Sequence, residues 1–260
     1  MRIAIVQTSP AFGKVDSNVK EAISMMSVEQ ADLFVLPELF NTGYNFIDEK
    51  EVSSLAEPVD GATYQAISSY SHEHDCYIAY GIAEKADRLY NSAILTGPDG
   101  LVGLYRKVHL FYRETLYFAP GNLGFPVFDL PIGKIGIMIC FDWIYPEAAR
   151  TLALKGAQLL VHPSNLVMPH CPDAMVTRCL ENRVFAATSN RIGTEDRGGE
   201  KLTYIGSSEI VSPKGKILAR MKNTETGVVV VDIDLKEADN KKINPYNDLM
   251  DGRRKDHYLL

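Results

Sequence analysis

Apolar residues recur along this chain in two registers. "RIAIVQ", "DLFVLPELF", "CYIAYGIA", "AQLLVHPS" and "RVFAATSN" are short, almost continuous apolar runs bounded by polar or turn residues. Such runs predict strands covered on both faces. Between them the apolar positions fall at helical spacing. Val19, Ala22, Ile23 and Met26 predict a helix in "SNVKEAISMMSVEQA", with Asp16 or Ser17 as its N-cap. Further helices are predicted from about Ala62 to His74, Pro146 to Lys155 and Asp173 to Glu181. Strands alternating with helices predict an α/β protein. Two stretches break the alternation. "YNSAILTGPDGLVGLYRK" and "GSSEIVSPKGKILARM" each read as strand, Pro-x-Gly turn, strand, so antiparallel hairpins are mixed in. Roughly ten to twelve strands follow from these signals, too many for one ordinary open sheet. Two mixed sheets packed face to face, with helices outside, accommodate them.

No Pro/Ser-rich linker or shift in composition divides the 260 residues, which are read as one domain, 1–260. The polar, charged stretch from about Lys236 onward predicts an arm lying along the surface or over a partner subunit. Hydrophobic residues make up 46% and charged residues 23%, the balance of an ordinary globular protein. The net charge of −6 comes without any basic block, which argues against a nucleic-acid partner. No apolar run approaches the roughly 18 residues of a membrane span. "MRIAIVQTSP" lacks the plan of a secretion signal, so a cytoplasmic location is expected. Cys76, Cys140, Cys171 and Cys179 show no framework spacing and are expected as free thiols.

Three of the apolar strands stop at a reactive side chain. They are "FVLPELF" with Glu38, "LYRKVHLF" with Lys107, and "IMICFDW" with Cys140, where the strand from Gly136 reaches the cysteine. Taken singly, a cysteine in an apolar strand is a core filler, and the glutamate and lysine are surface charges. Taken together they make a hydrolytic set. A carboxylate can take a thiol proton, and the thiolate can attack a carbonyl or nitrile carbon. An ammonium can hold the resulting anion, assisted by the backbone N–H of Phe141. Lys107 should also favour the thiolate. His72, His74 and Cys76 in "SHEHDC" have no evident fourth ligand, and "HPSNLVMPHC", with His162, His170 and Cys171, reads as a loop near the pocket, so no metal is expected.

The order and wording of these motifs, "LPELF", "YRKVHLF" and "ICFDWIYPE", resemble the carbon–nitrogen hydrolase family, also called the nitrilase superfamily. "AEPVDG", "YNSAILTGPDG", "HPSNLV", "CLENRVFAATSNR" and "GSSEIVSPKG" extend the likeness nearly end to end. The resemblance implies a four-layer α-β-β-α sandwich and a Glu–Lys–Cys triad on Glu38, Lys107 and Cys140. It places a second glutamate, holding the lysine and substrate, on Glu114. It implies no metal or organic cofactor, and a homodimer or higher homo-oligomer with "ICFDWIYPE" and "ENRVF" near the contact. Tyr44, Asn45, Tyr112 and Asn165 flank the motifs and are candidate pocket residues. Arg113 is open to a substrate carboxylate or a protein one. Nitrilases of this family tend to carry Cys-Trp-Glu, whereas Cys140-Phe141-Asp142 stands closer to the Cys-Tyr-Asp of amidase-like branches. That ranks a small linear amide ahead of a small aliphatic nitrile as substrate. Members with Cys-Phe-Asp-Trp have also been called nitrilases, and the nitrile reading stays open.

Overall fold

The structure, a computed structural model, describes residues 1–258. In chain order it contains β1 (Arg2–Gln7), α1 (Val15–Met26), β2 (Leu33–Val35), α2 (Glu49–Leu55), α3 (Ala62–His74), β3 (Tyr77–Lys85), β4 (Leu89–Gly97) and β5 (Gly100–Arg106). There follow the short α4 (Glu114–Tyr117), β6 (Val127–Leu130), β7 (Gly133–Ile137), a 3₁₀ turn (Cys140–Ile144), α5 (Pro146–Leu154), β8 (Leu159–Pro163), α6 (Cys171–Asn182) and β9 (Phe185–Ser189). The chain closes with β10 (Ile192–Arg197), β11 (Glu200–Ile205), β12 (Glu209–Val211), β13 (Ile217–Arg220), β14 (Gly227–Asp232), β15 (Lys242–Asn244) and β16 (Asn247–Asp248).

Two six-stranded sheets carry the architecture, in the orders β14-β1-β2-β3-β4-β5 and β13-β12-β9-β8-β7-β6. Each has a parallel trio, β1-β2-β3 or β7-β8-β9, flanked by antiparallel strands. Side chains alternate across the first sheet as a two-residue period requires. Ile3, Ile5, Leu33, Val35 and Ala79 face the second sheet. Ala4, Val6, Phe34, Ile78 and Tyr80 face α1 and α3, which cover them with Val19, Ala22, Met26, Ile67 and Tyr70. Ala149 and Leu152 of α5 and Met175 and Cys179 of α6 cover the second sheet. The result is the expected α/β sandwich of four layers, α-β-β-α. The two sheets are stitched where β1 and β9 end: Ser189 Oγ donates to the Val6 carbonyl and Ile192 N–H to the Thr8 carbonyl.

Several boundaries differ from the sequence expectation. α1 starts at Val15, ahead of the expected cap, and Asp16 lies in its first turn. The polar group that anchors this start is Asn18, whose carboxamide turns inward to the Ala11 backbone and the Asn41 carbonyl. The strand leading to the cysteine ends at Ile137, and Cys140 opens the following turn. The β10–β11 hairpin forms a two-stranded ribbon outside both sheets. Its strands are largely polar and solvent-facing, so hydrophobic patterning gave no signal for it. The C-terminal stretch folds back on its own chain: Lys241 Nζ donates to the carbonyls of Asn182 and Arg183 at the end of α6. His72, His74 and Cys76 do not converge; His72 meets the Pro98 carbonyl and His74 stacks on Tyr70. Among the described residues no helix is long and apolar enough to cross a membrane.

Candidate active site

Glu38, Lys107 and Cys140 each follow the C-terminal end of a strand: β2, β5 and β7. Sequence separation is erased there because β2, β3 and β5 run the same way, as do β7 and β8. Strand ends on one edge of such sheets are the usual place for a site. Pro37 cannot donate a ladder hydrogen bond, so β2 stops and Glu38 crosses over β3. That crossing requires glycine beneath it. A Cβ at Gly81 would sit 2.5 Å from the Glu38 Cα. Leu39, next to Glu38, and Cys140 itself both adopt the left-handed region, with φ of 48° and 39°. Such a conformation costs a non-glycine residue about 1–2 kcal/mol and concentrates where a side chain must be aimed.

Lys107 Nζ bridges two carboxylates, 2.6 Å from Glu38 Oε1 and 2.8 Å from Glu114 Oε1. Asn91 Nδ2 donates to Glu38 Oε1 at 2.7 Å, and the Tyr44 hydroxyl to Glu114 Oε1 at 2.5 Å. The Phe111 N–H holds the other oxygen of Glu114. The carboxylates and the ammonium are buried, and Glu38 Oε2 has no hydrogen-bond partner among the described residues. An ammonium has three hydrogens, and two of those on Lys107 are committed, so one remains for a ligand.

Burial pushes the Glu38 carboxyl up to about 7, with the charge of Glu114 adding to it and Lys107 pulling the other way. Burial opposes the Lys107 ammonium, but Glu114 and Glu38 outweigh it and hold its pKa above the usual lysine range. The Cys140 thiol is pushed well up, first by burial and then by Glu38. Lys107 does act toward the thiolate, as expected from sequence, and is outweighed. The resting cysteine is therefore a neutral thiol whose proton must leave during attack. Cys76, Cys171 and Cys179 are also buried and free, with thiols raised in the same way. What sets Cys140 apart is that Glu38, Lys107 and Glu114 act on it together.

A pH dependence follows. Glu38 can accept the thiol proton only when ionised, so kcat/KM is expected to fall as pH drops through about 7, tenfold per unit well below it. The stability sign is opposite. Its folded pKa lies above the ordinary value, so native Glu38 holds a proton between about 4.5 and about 7 and loses stability as pH rises through that window. A kcat/KM profile flat down to pH 5 would remove Glu38 as the base.

Beside Cys140 lies a narrow cleft lined by Phe111, Phe141, Trp143, Asn165, Leu166, Val167 and Met168. Asn165 faces it and donates through Nδ2 to the Glu38 carbonyl. Tyr44 joins the ion cluster through Glu114. The side chains of Asn45 and Tyr112 make their hydrogen bonds away from the triad. Asn45 Nδ2 donates to the Glu200 carbonyl and the Tyr112 hydroxyl to the Glu200 side chain, so both fasten the β10–β11 hairpin. With Tyr44, Arg113 and Glu114 they line an adjoining cavity. No carboxylate among the described residues pairs with Arg113, whose Nη1 is buried without a partner. A wider groove around Arg2, Glu29, Asp32 and His74 contains none of these groups.

Asp142 turns away from the cleft. It accepts from the Ile139 N–H and the Tyr105 hydroxyl on one oxygen and from His109 on the other, and is fully buried. It braces the turn that carries Cys140. The Cys-Phe-Asp wording that ranked amide over nitrile thus rests partly on a residue outside the cleft. Sequence reading also passed over Asn91, which orients Glu38, and Arg191 with Glu195. Those two form a buried ion pair of 2.5 Å, and Glu195 accepts the N–H groups of Tyr44 and Asn45. Asn91 carried a signal, as a polar residue inside the apolar run of β4, and Arg191 stands just after that of β9; Glu195 lies in the polar β10 and carried none.

A sequence model of the family described as "Carbon-nitrogen hydrolase" matches residues 2–242. The chain is 48% identical to a protein of Pyrococcus abyssi named "Nitrilase", over 100% of this chain and 99% of that one. Its structure is similar to that of a carbon–nitrogen hydrolase from Helicobacter pylori G27, with a TM-score of 0.91, 26% identity, and 99% and 96% of the two chains covered. It is also similar, at a TM-score of 0.80 and 26% identity over 92% of each chain, to a variant of the Nesterenkonia sp. AN1 amidase. That structure shows the acetamide moiety of fluoroacetamide added covalently at the active-site cysteine.

Proposed function

The chain belongs to the carbon–nitrogen hydrolase family, and we propose that it hydrolyses a small nitrile to the carboxylic acid and ammonia through covalent attachment to Cys140. The observation that carries the chemistry is the buried Glu38–Lys107–Glu114 cluster with an unpartnered Glu38 oxygen, next to the cysteine. The nitrile comes first because the relative sharing 48% of its residues end to end is named a nitrilase. This reverses the ranking drawn from Cys140-Phe141-Asp142, since Asp142 does not line the cleft. A small linear amide is the second reading, favoured by the amidase whose cysteine takes an acetamide group.

In this reading Glu38 accepts the Cys140 proton as sulfur adds to the nitrile carbon. The negative nitrogen rests against the free hydrogen of Lys107 and the Phe141 N–H, then takes a proton to give a thioimidate. Glu38 activates a water that adds to the same carbon, and ammonia leaves to give a thioester. A second water releases the acid and the thiol. Two waters are consumed per nitrile; an amide enters one stage later and consumes one. Lys107 stays charged throughout, and Glu114 with Tyr44 keeps it in place. Asn165 and Tyr44 border the substrate, while Asn45 and Tyr112 support the wall behind it. The exposed Ile144, Tyr145 and Leu180, on the α5–α6 side, fit pairing of two chains through that face, and sedimentation is expected to give at least twice the chain mass. A monomer at micromolar concentration would remove that pairing.

Ammonia release over a panel of short aliphatic nitriles, linear amides, ω-amides and carbamoyl amines tests the function. Turnover of nitriles at rates at least tenfold above the matching amides is expected. Release from amides alone would make the second reading correct.

A further inference from the structure

Behind Cys140 the second sheet holds a buried imidazole that the chemistry above does not use. His162 lies on β8, next to the strand that leads to Cys140, and is fully buried. Its Nε2 is 2.9 Å from the Cys140 carbonyl oxygen, and its Nδ1 is 3.0 Å from Thr188 Oγ1. Thr188 is its register partner on β9. A carbonyl oxygen can only accept, so Nε2 carries the hydrogen and Nδ1 accepts from the threonine hydroxyl. Burial lowers the imidazole pKa to about 4, so the ring stays neutral in this one tautomer near neutral pH. Ser164 Oγ, 3.2 Å from Nε2, donates to the carbonyl of His162 itself.

The Cys140 carbonyl and the Phe141 N–H belong to the same planar trans peptide, so they point to opposite sides. Holding the oxygen from behind fixes the direction of the hydrogen in front. That N–H has no acceptor among the described residues, as is usual at the start of a helical turn. Cys140 adopts the left-handed backbone region, so this peptide is held in place against a conformational cost. We infer that His162 is a positioning residue: its Nε2–H locks the Cys140–Phe141 peptide so that the Phe141 N–H faces the anion formed on the substrate. This rests on the reading of Cys140 as the nucleophile.

The test separates anion stabilisation from thiol reactivity. Butyraldehyde adds reversibly to a cysteine thiol: an S–C bond forms, the carbonyl π bond breaks, and the thiol proton ends on the new oxygen, which sits where the anion would. Iodoacetamide alkylates the same sulfur by displacing iodide and builds no such anion. His162→Leu is expected to weaken butyraldehyde inhibition at least tenfold and to lower kcat roughly 10–10²-fold, with KM within about threefold. Alkylation of Cys140, followed by peptide mass, should stay within about twofold of wild type. His162→Gln, which keeps a donor near Nε2, should recover most of the loss. Unchanged aldehyde inhibition in His162→Leu, alkylation falling in step with it, or a glutamine variant no better than leucine would each overturn the inference. If His162→Leu does not fold, His162→Phe decides: it keeps a flat ring in the same space and has no N–H to donate to the Cys140 carbonyl. Weakened aldehyde binding with intact alkylation supports the role, and unchanged binding overturns it. Aldehyde inhibition that survives in Cys140→Ala would sink the nucleophile reading instead.

Discussion

Cys140→Ala is expected to lower hydrolysis of every active substrate by at least about 10⁴-fold while changing folding stability by no more than about 1 kcal/mol. The two numbers separate because the thiol does little for the fold. It is small, its hydrogen-bonding capacity is weak, and its left-handed backbone costs alanine about what it costs cysteine. Its chemical role has no substitute. Glu38 could direct a water at the substrate without it, but the covalent route through a thioester would be gone. Burst kinetics and intact mass, run alongside urea unfolding, check the prediction. A variant that keeps a tenth of the activity would rule Cys140 out as nucleophile. One that loses activity together with several kcal/mol of stability would leave the chemistry unproven by this substitution.

Lys107→Met is expected to remove activity by at least about 10³-fold and also to cost about 3–5 kcal/mol of stability near pH 8. Methionine fills much of the space, so the loss is electrostatic. Lys107 sits between Glu38 and Glu114 with essentially no exposure, and removing it leaves two buried carboxylates sharing no cation. Buried carboxylates answer by taking up protons, so the penalty should shrink as pH falls from 8 toward 5. Urea unfolding of both proteins at the two pH values measures this. A loss of stability that does not depend on pH would point to packing rather than charge. Activity within tenfold of wild type would remove Lys107 from the reaction.

Much of the architecture was legible in the chain itself. The continuous apolar runs at Arg2–Gln7 and Leu159–Pro163 marked strands covered on both faces, and both lie central to the four-layer stack. Pro-x-Gly turns marked β4–β5 and β12–β13, since turn chemistry is local. The β10–β11 hairpin escaped because it buries little and so leaves no apolar period. The start of α1 escaped because Asn18 is satisfied by the distant carbonyl of Asn41 rather than by its own helix.

The candidate site divides along the same line. Glu38, Lys107 and Cys140 were each recognisable as reactive residues where apolar strands stop, and their motifs carried the family resemblance. By itself, then, the sequence determined which side chains are delivered at strand ends, because strand length and termination follow from neighbouring residues. It could not determine their protonation. The neutral thiol of Cys140, the raised carboxyl of Glu38 and the persistent charge of Lys107 come from burial among groups distant in the chain. Nor could it show that Asp142 points into the core, or that His162 and Asn91 stand behind the catalytic groups. Those facts were decided only when two sheets closed on each other, because desolvation and side-chain direction are properties of the packed whole.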